Sequence, residues 1–398
     1  MRQILESRQE NPQFSPPTSL RAKAEMDAAI ADYRKAAQRA PHNAGAKVTL
    51  ANALAARGQM DAAIVQYREA LQINPGDSET YNRLGSALAD GGKLDGAIAA
   101  YWEAIRLAPE DGWARNNLGL ALRAQGRDEE AFIEWREAVR VAPGHAYARN
   151  NYGTALYQQG ETEAAMAEWK AALDLDPRLS VVRHNLATIY HHQGMTEASL
   201  AQYREALQHD PEDVQAHIHL GIAYQSEGRL DDAIICWERA IKREPRLAEP
   251  HQHLGAALYI KGLVDAALAE LREAIRLDPH DPWANFNLGI ILSNEGQTEA
   301  ALERWQEVVR TDPEFAGAHF NLGNAQYKLR RHESALASWK RALKINHHHA
   351  WAHFNLGYAL RKRGDLAGGL AEIQEAKRID PKIAGRTFPM LDALNDAA

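Results

Sequence analysis

Small and large apolar residues follow one another along this chain in a fixed order that returns every 34 residues. Counted from Ala44, the seventh residue of successive periods is Leu50, Leu84, Leu118, Tyr152, Leu186, Leu220, Leu254, Leu288, Leu322 and Leu356, and the eighth is always Gly or Ala. After a polar stretch comes a small residue (Ala63, Ala97, Ala131 and their successors). A large one follows four places on, such as Tyr67, Tyr101, Trp135 or Trp169, and another Ala three places later. Spacings of four and three put these on one helical stripe, where small against large lets neighbouring helices interlock. Each period therefore predicts two helices. A glycine at position fifteen, from Gly58 to Gly364, ends the first, because a left-handed residue suits a C-terminal cap. Only Arg330 breaks that series. Proline, from Pro41 to Pro313, stops the second helix; His347 misses one beat before Pro381 resumes it.

A period of this length predicts stacked helical hairpins. Ten complete units run over residues 44–383. A single globular core stops growing near about 250–300 residues, a limit that a stack escapes because each repeat packs only on its neighbours. Residues 1–19, with Pro12, Pro16 and Pro17, read as disordered or extended. Residues 20–43 hold a second helix without its first: Met26–Ile30 mirrors Met60–Ile64, and Tyr33 answers Tyr67. Residues 384–398 leave room for a cap or tail. The pattern resembles the tetratricopeptide repeat over roughly residues 20–383. It departs at position four, which holds Lys, Tyr, Arg, His or Asn where that family favours Trp. The expected fold is all-α, a right-handed α-solenoid superhelix of about ten helix-turn-helix repeats with capping helices.

The resemblance implies that first helices line a concave wall, with positions two, five, six, nine, twelve and thirteen facing inward. Position six reads Thr49, Arg83, Asn117, Asn151, Asn185, His219, His253, Asn287, Asn321 and Asn355. An Asn amide can pair with both the C=O and the N–H of an extended peptide. Helices pack about 8–10 Å apart and an extended chain advances about 3.3 Å per residue, so successive amides would meet about every third backbone unit. This ladder is similar to the one lining the repeat superhelix of O-linked N-acetylglucosamine transferase, whose catalytic half has no counterpart here. The other reading is that these amides are solvated or hydrogen-bond between adjacent repeats. Position five adds Asn82, Asn116 and Asn150 early in the chain, and Phe286, Phe320 and Phe354 late, with Trp283, Trp351 and Tyr358 nearby. The rings form a recognition patch, or they pack between neighbouring first helices.

Charge refines this picture. The chain carries −7 overall. Its inward positions hold Arg83, Arg123, Lys328, Arg361 and Lys362 against Glu79, Asp90 and Glu249, five minus three or +2, before Arg115, Arg149 and Arg183 at position four are added. An acidic or neutral peptide is favoured. Nucleic acid is not expected, since phosphate binding wants a stronger basic patch. There is no apolar run to cross a membrane and no signal-peptide core, so a soluble, cytoplasmic chain is expected. Cys236 is the single cysteine, which excludes a disulfide framework and suggests a core role. His219 and His253, with His217 and His251, read either as metal ligands or as neutral substitutes for ladder amides. His347–His349 invites only adventitious metal. No nucleophile triad, phosphate loop or metal-protease motif is present, so neither catalysis nor a cofactor is expected. The family's carboxylate clamp lacks its lysines at Val48, Asn52, Arg83, Trp113 and Asn117. The expectation is a non-enzymatic scaffold or adaptor holding an extended peptide of a protein partner. Asn117, Asn151, Asn185, His219, His253, Asn287, Asn321 and Asn355 would grip it, with Phe286, Phe320 and Phe354 supplying specificity. The alternatives are a structural protein that self-assembles through its terminal repeats, and the substrate-recognition subunit of a modifying enzyme.

Overall fold

The computed structural model describes residues 20–385, so the expectations for residues 1–19 and for all but the start of 384–398 lie outside the described residues. The chain divides into two compact units, one reaching to Pro211 and one beginning at Glu212. The N-terminal unit contains α1 (Leu20–Arg39), α2 (Ala44–Ala56), α3 (Met60–Ile73), α4 (Ser78–Asp90), α5 (Leu94–Leu107), α6 (Gly112–Ala124), α7 (Asp128–Val141), α8 (Ala146–Gln158), α9 (Thr162–Leu175), α10 (Ser180–His192) and α11 (Thr196–His209). The C-terminal unit contains α12 (Val214–Ser226), α13 (Leu230–Arg243), α14 (Ala248–Ile260), α15 (Val264–Leu277), α16 (Pro282–Asn294), α17 (Thr298–Thr311), α18 (Ala316–Lys328), α19 (His332–Ile345), α20 (Ala350–Arg363) and α21 (Leu366–Ile379), then a 3-10 turn at Pro381–Gly385. Even-numbered helices are first helices and odd-numbered ones second helices. No strand occurs among the described residues.

Local chemistry sets the boundaries. Nine glycines at position fifteen take left-handed φ, and Arg330 at φ 62° is the one other described residue with positive φ. Second helices close on a backbone bond such as Asn74 N–H to the Ala70 carbonyl, and Pro75 then prevents continuation. Asp77, Asp111, Asp213 and Asp281 accept from the first-turn N–H groups of the helices they precede, and His145 and His349 do the same through Nδ1. Such a cap is worth about 1 kcal/mol.

The interlock predicted between small and large residues is tight. A Cβ on Gly119 would sit 2.4 Å from Nε1 of Trp135, and one on Gly289 would sit 2.5 Å from Nε1 of Trp305. The missing methyl lets each indole reach the first helix: Trp135 donates to the Asn116 carbonyl at 3.2 Å, Trp169 to Asn150 at 3.2 Å and Trp305 to Phe286 at 3.3 Å. These rings are almost fully buried, and each contributes about 2–3 kcal/mol by leaving water. Ala51 and Ala187 replace the glycine where the large partner is Tyr67 or Tyr203. Cys236 is buried, and burial pushes its thiol up to about 11. The stripe that each repeat normally covers on the one before ends uncovered among the described residues, leaving Leu366 65% and Leu370 50% exposed.

Candidate binding wall

First helices pack side by side within each unit, so positions five and six of successive repeats meet. In the N-terminal unit they form a closed amide chain. Asn117 Nδ2 donates to Asn82 Oδ1 at 3.0 Å, Asn151 to Asn116 at 2.8 Å and Asn185 to Asn150 at 3.5 Å. Asn116 and Asn150 in turn donate to Asn117 and Asn151. Asn116, Asn150, Asn151 and Asn185 are buried, and Asn117 is half-buried. Much of each amide's hydrogen-bonding capacity is therefore spent between repeats, as the inter-repeat reading anticipates.

The C-terminal unit differs: the residues one repeat before Asn321 and Asn355 are Phe286 and Phe320, which cannot accept, and the one before Asn287 is Gln252, which makes no side-chain bond to it. Asn287 and Asn321 are half-buried and make no side-chain hydrogen bond to another described residue. Asn355 is buried and donates instead to Asn324 Oδ1 at 2.8 Å, an oxygen that also accepts from the Trp339 indole. Beside the free amides lies a ring cluster. Phe286 stacks on Phe315 at 4.8 Å, and Trp283, 56% exposed, meets Phe315 at 4.8 Å. Gly317 leaves room for these rings, since a Cβ there would lie 3.4 Å from Phe315 and 3.5 Å from Phe286. Phe320 contacts His349 at 4.5 Å, and Phe354 contacts Trp351 at 6.2 Å. The rings thus pack on one another while Phe286, Phe320 and Phe354 stay half exposed.

Position four, where the sequence pattern showed only a departure, holds a structural pin. Arg149 donates to the carbonyl of Pro143, six residues back, at 2.8 Å and to Glu168, nineteen residues on, at 2.6 Å. Arg115 repeats this with Pro109 and Glu134, and Arg183 reaches Pro177 and Glu205. Burial raises the Glu134 carboxyl above the usual range even with Arg115 beside it. In the C-terminal unit the pin is His251 on Pro245 and Glu270, Asn285 on Pro279, His319 on Pro313, and His353 on His347 and Glu372. The signal was present as an acid nineteen residues after several of these positions, at Glu134, Glu168, Glu270 and Glu372. One consequence corrects the charge count. Arg115, Arg149 and Arg183 are neutralised and add nothing to the wall's charge.

The remaining inward charges also separate by unit. In the N-terminal unit Arg83 pairs with Glu79, Arg123 lies over the Trp135 ring at 5.2 Å, and burial pushes the Asp90 carboxyl up. Two cations against two acids leave zero there. The C-terminal unit holds Lys328, Arg361 and Lys362 against Glu249, three minus one or +2. Burial, and then Asp281, raises the Glu249 carboxyl.

The histidines do not gather. His251 turns back to its proline and glutamate, while His253 lies flat on Trp237 with ring centres 5.3 Å apart. Burial holds the His253 imidazole neutral down to about 4. His219 is half-buried on α12. Among the described residues no three metal-binding side chains converge.

Comparison with known proteins places this geometry in context. A family model described as TPR repeat matches residues 51–91, 85–126, 153–194, 187–228, 257–296 and 291–329. Models described as tetratricopeptide repeat match residues 112–142, 214–247, 316–349 and 350–375. No curated protein matches the chain in sequence. Among solved structures the chain is similar in fold to one titled APC/C hetero-tetramer Cut9-Hcn1, with TM-score 0.52 and 15% identity over 93% of this chain and 81% of that one. Pseudomonas aeruginosa pilF matches with TM-score 0.49 and 20% identity over 55% of this chain and 97% of its own. YrrB, titled a TPR protein with an unusual peptide-binding site, matches with TM-score 0.39 and 20% identity over 48% and 97%. With its repeats matched over more than half its length and its helices stacked as an α-solenoid, the chain belongs to the tetratricopeptide repeat family.

Proposed function

We propose that this scaffold, of a kind suited to protein–protein interaction, holds an extended peptide segment of a partner along the first helices of its C-terminal unit. The observation that supports this is the pair of amides, Asn287 and Asn321, left unpaired beside half-exposed Phe286 and Phe320. Each amide pairs with one backbone C=O or N–H of the ligand, a net gain of about 1 kcal/mol per bond. Ring burial supplies the larger share, at about 25 cal/mol per Å² of apolar surface. Asn117, Asn151 and Asn185 contribute chiefly by holding neighbouring first helices in register. No described helix is long and apolar enough to cross a membrane.

Panning a displayed library of random dodecapeptides on the full chain tests this reading. Asn287→Ala/Asn321→Ala loses the retained peptides while Asn117→Ala keeps them, with circular dichroism confirming helicity in both. Equal retention by the two variants would sink the proposal. The exposed Leu366 and Leu370 favour a second reading, self-association through the last repeat. Sedimentation velocity over a hundredfold range of protein concentration distinguishes it, because a constant sedimentation coefficient excludes it.

A further inference from the structure

We infer that the peptide recognised by the C-terminal unit is acidic, with Asp or Glu placed within four residues of an aromatic or branched apolar side chain. This rests on the peptide-binding reading above and adds the chemistry of the ligand. Phe320, Asn324 and Tyr327 lie at spacings of four and three on α18, hence on one face, with Lys328 next in sequence. Phe354, Tyr358 and Arg361 repeat that face on α20, with Lys362 following. Lys328 and Arg361 have no acid partner among the described residues, and the Lys362 ammonium lies over the Tyr358 ring at 5.6 Å. Acids on α19 and α21 are committed elsewhere: Glu333 to Arg363, Glu372 to His353 and Glu375 to Arg378. None of these three cations is matched by a described acid, so carboxylates of a ligand can complement them.

Ring and cation stand seven or eight residues apart on each helix, about 10–12 Å at 1.5 Å per residue. An extended peptide covers that gap in three or four residues at about 3.3 Å each. In the N-terminal unit Arg83 is paired with Glu79, which leaves Arg123, over the Trp135 ring, as its one inward cation without an acid. With three such cations against one, the last repeats steer an acidic segment more strongly.

The test reads the composition of the peptides retained from the same random dodecapeptide library. Wild type retains sequences enriched in Asp and Glu near an aromatic or branched apolar residue. Lys328→Ser/Arg361→Ser/Lys362→Ser still retains peptides but loses the acidic enrichment. A labelled peptide selected by wild type binds that variant about tenfold more weakly in fluorescence anisotropy, and its wild-type affinity falls as salt rises. Retention without acidic enrichment overturns this inference and leaves peptide binding standing. Failure of wild type to retain any peptide overturns both.

Discussion

The two units of this protein build the same scaffold and finish it differently. Both pack a buried indole against a glycine and end first helices on a left-handed residue. Both pin position four to the turn behind it, through Arg115 and Arg149 in one unit and His251 and His353 in the other. They part at position five. Asn82, Asn116 and Asn150 accept from the ladder amide of the next repeat, so that amide becomes part of the structure. Phe286 cannot accept from Asn321, and Gln252, the residue one repeat before Asn287, makes no side-chain hydrogen bond with it, so both amides stay available and have aromatic neighbours. Identical residues at position six thus do different work, according to whether a neighbouring repeat takes up their hydrogen bond.

The largest expected effect tests whether the pins are structural. Arg115→Ala leaves Glu134, whose side chain is 9% exposed, as a buried unpaired carboxylate. A loss of about 3 kcal/mol is expected, and Glu134→Gln in the same chain should recover part of it in urea titrations.

Acid probes one ring in each unit. His145 and His253 are both held neutral by burial down to about 4, whereas an unfolded chain protonates histidine near 6.5. The unfolded state therefore binds more protons between those values. Stability is lost as pH falls from about 6.5 to about 4, by about 2–3 kcal/mol per ring, and no further below. His145→Asp, which keeps a helix cap, with His253→Asn should flatten that part of the melting-temperature profile.

Gly119→Ala and Gly289→Ala should cost about 2 kcal/mol each, because a methyl displaces the indole in either unit. Similar losses in thermal melts would confirm that the scaffolds are alike, and unequal ones would break the comparison. The amides should then separate the units. Asn116→Ala strands the buried Asn151 amide and should cost about 1–2 kcal/mol. Asn321→Ala breaks no internal bond and should change stability by less than about 0.5 kcal/mol while weakening peptide retention. Arg330→Gly relieves the one non-glycine left-handed residue described and should add about 0.5–1 kcal/mol.

Much of this was legible in the residues. The 34-residue period fixes helix order, the glycines and prolines fix helix ends, and small-against-large spacing fixes which faces interlock. These are local rules, each satisfied within one repeat or between adjacent ones, so periodicity alone determines them. The two readings of the ladder were equally open in sequence, because an amide looks the same whether its partner is a ligand or a neighbour. The pins were half legible, as a basic or imidazole side chain at position four followed by an acid nineteen residues on. Their direction was not, because only the fold turns Arg115, Arg149 and Arg183 back onto Glu134, Glu168 and Glu205 and away from the wall. Sequence thus determined the repeat, its caps and its buried stripe. Tertiary structure alone decided which polar groups remain free, because a hydrogen bond between residues 35 apart depends on how one helix lies against the next.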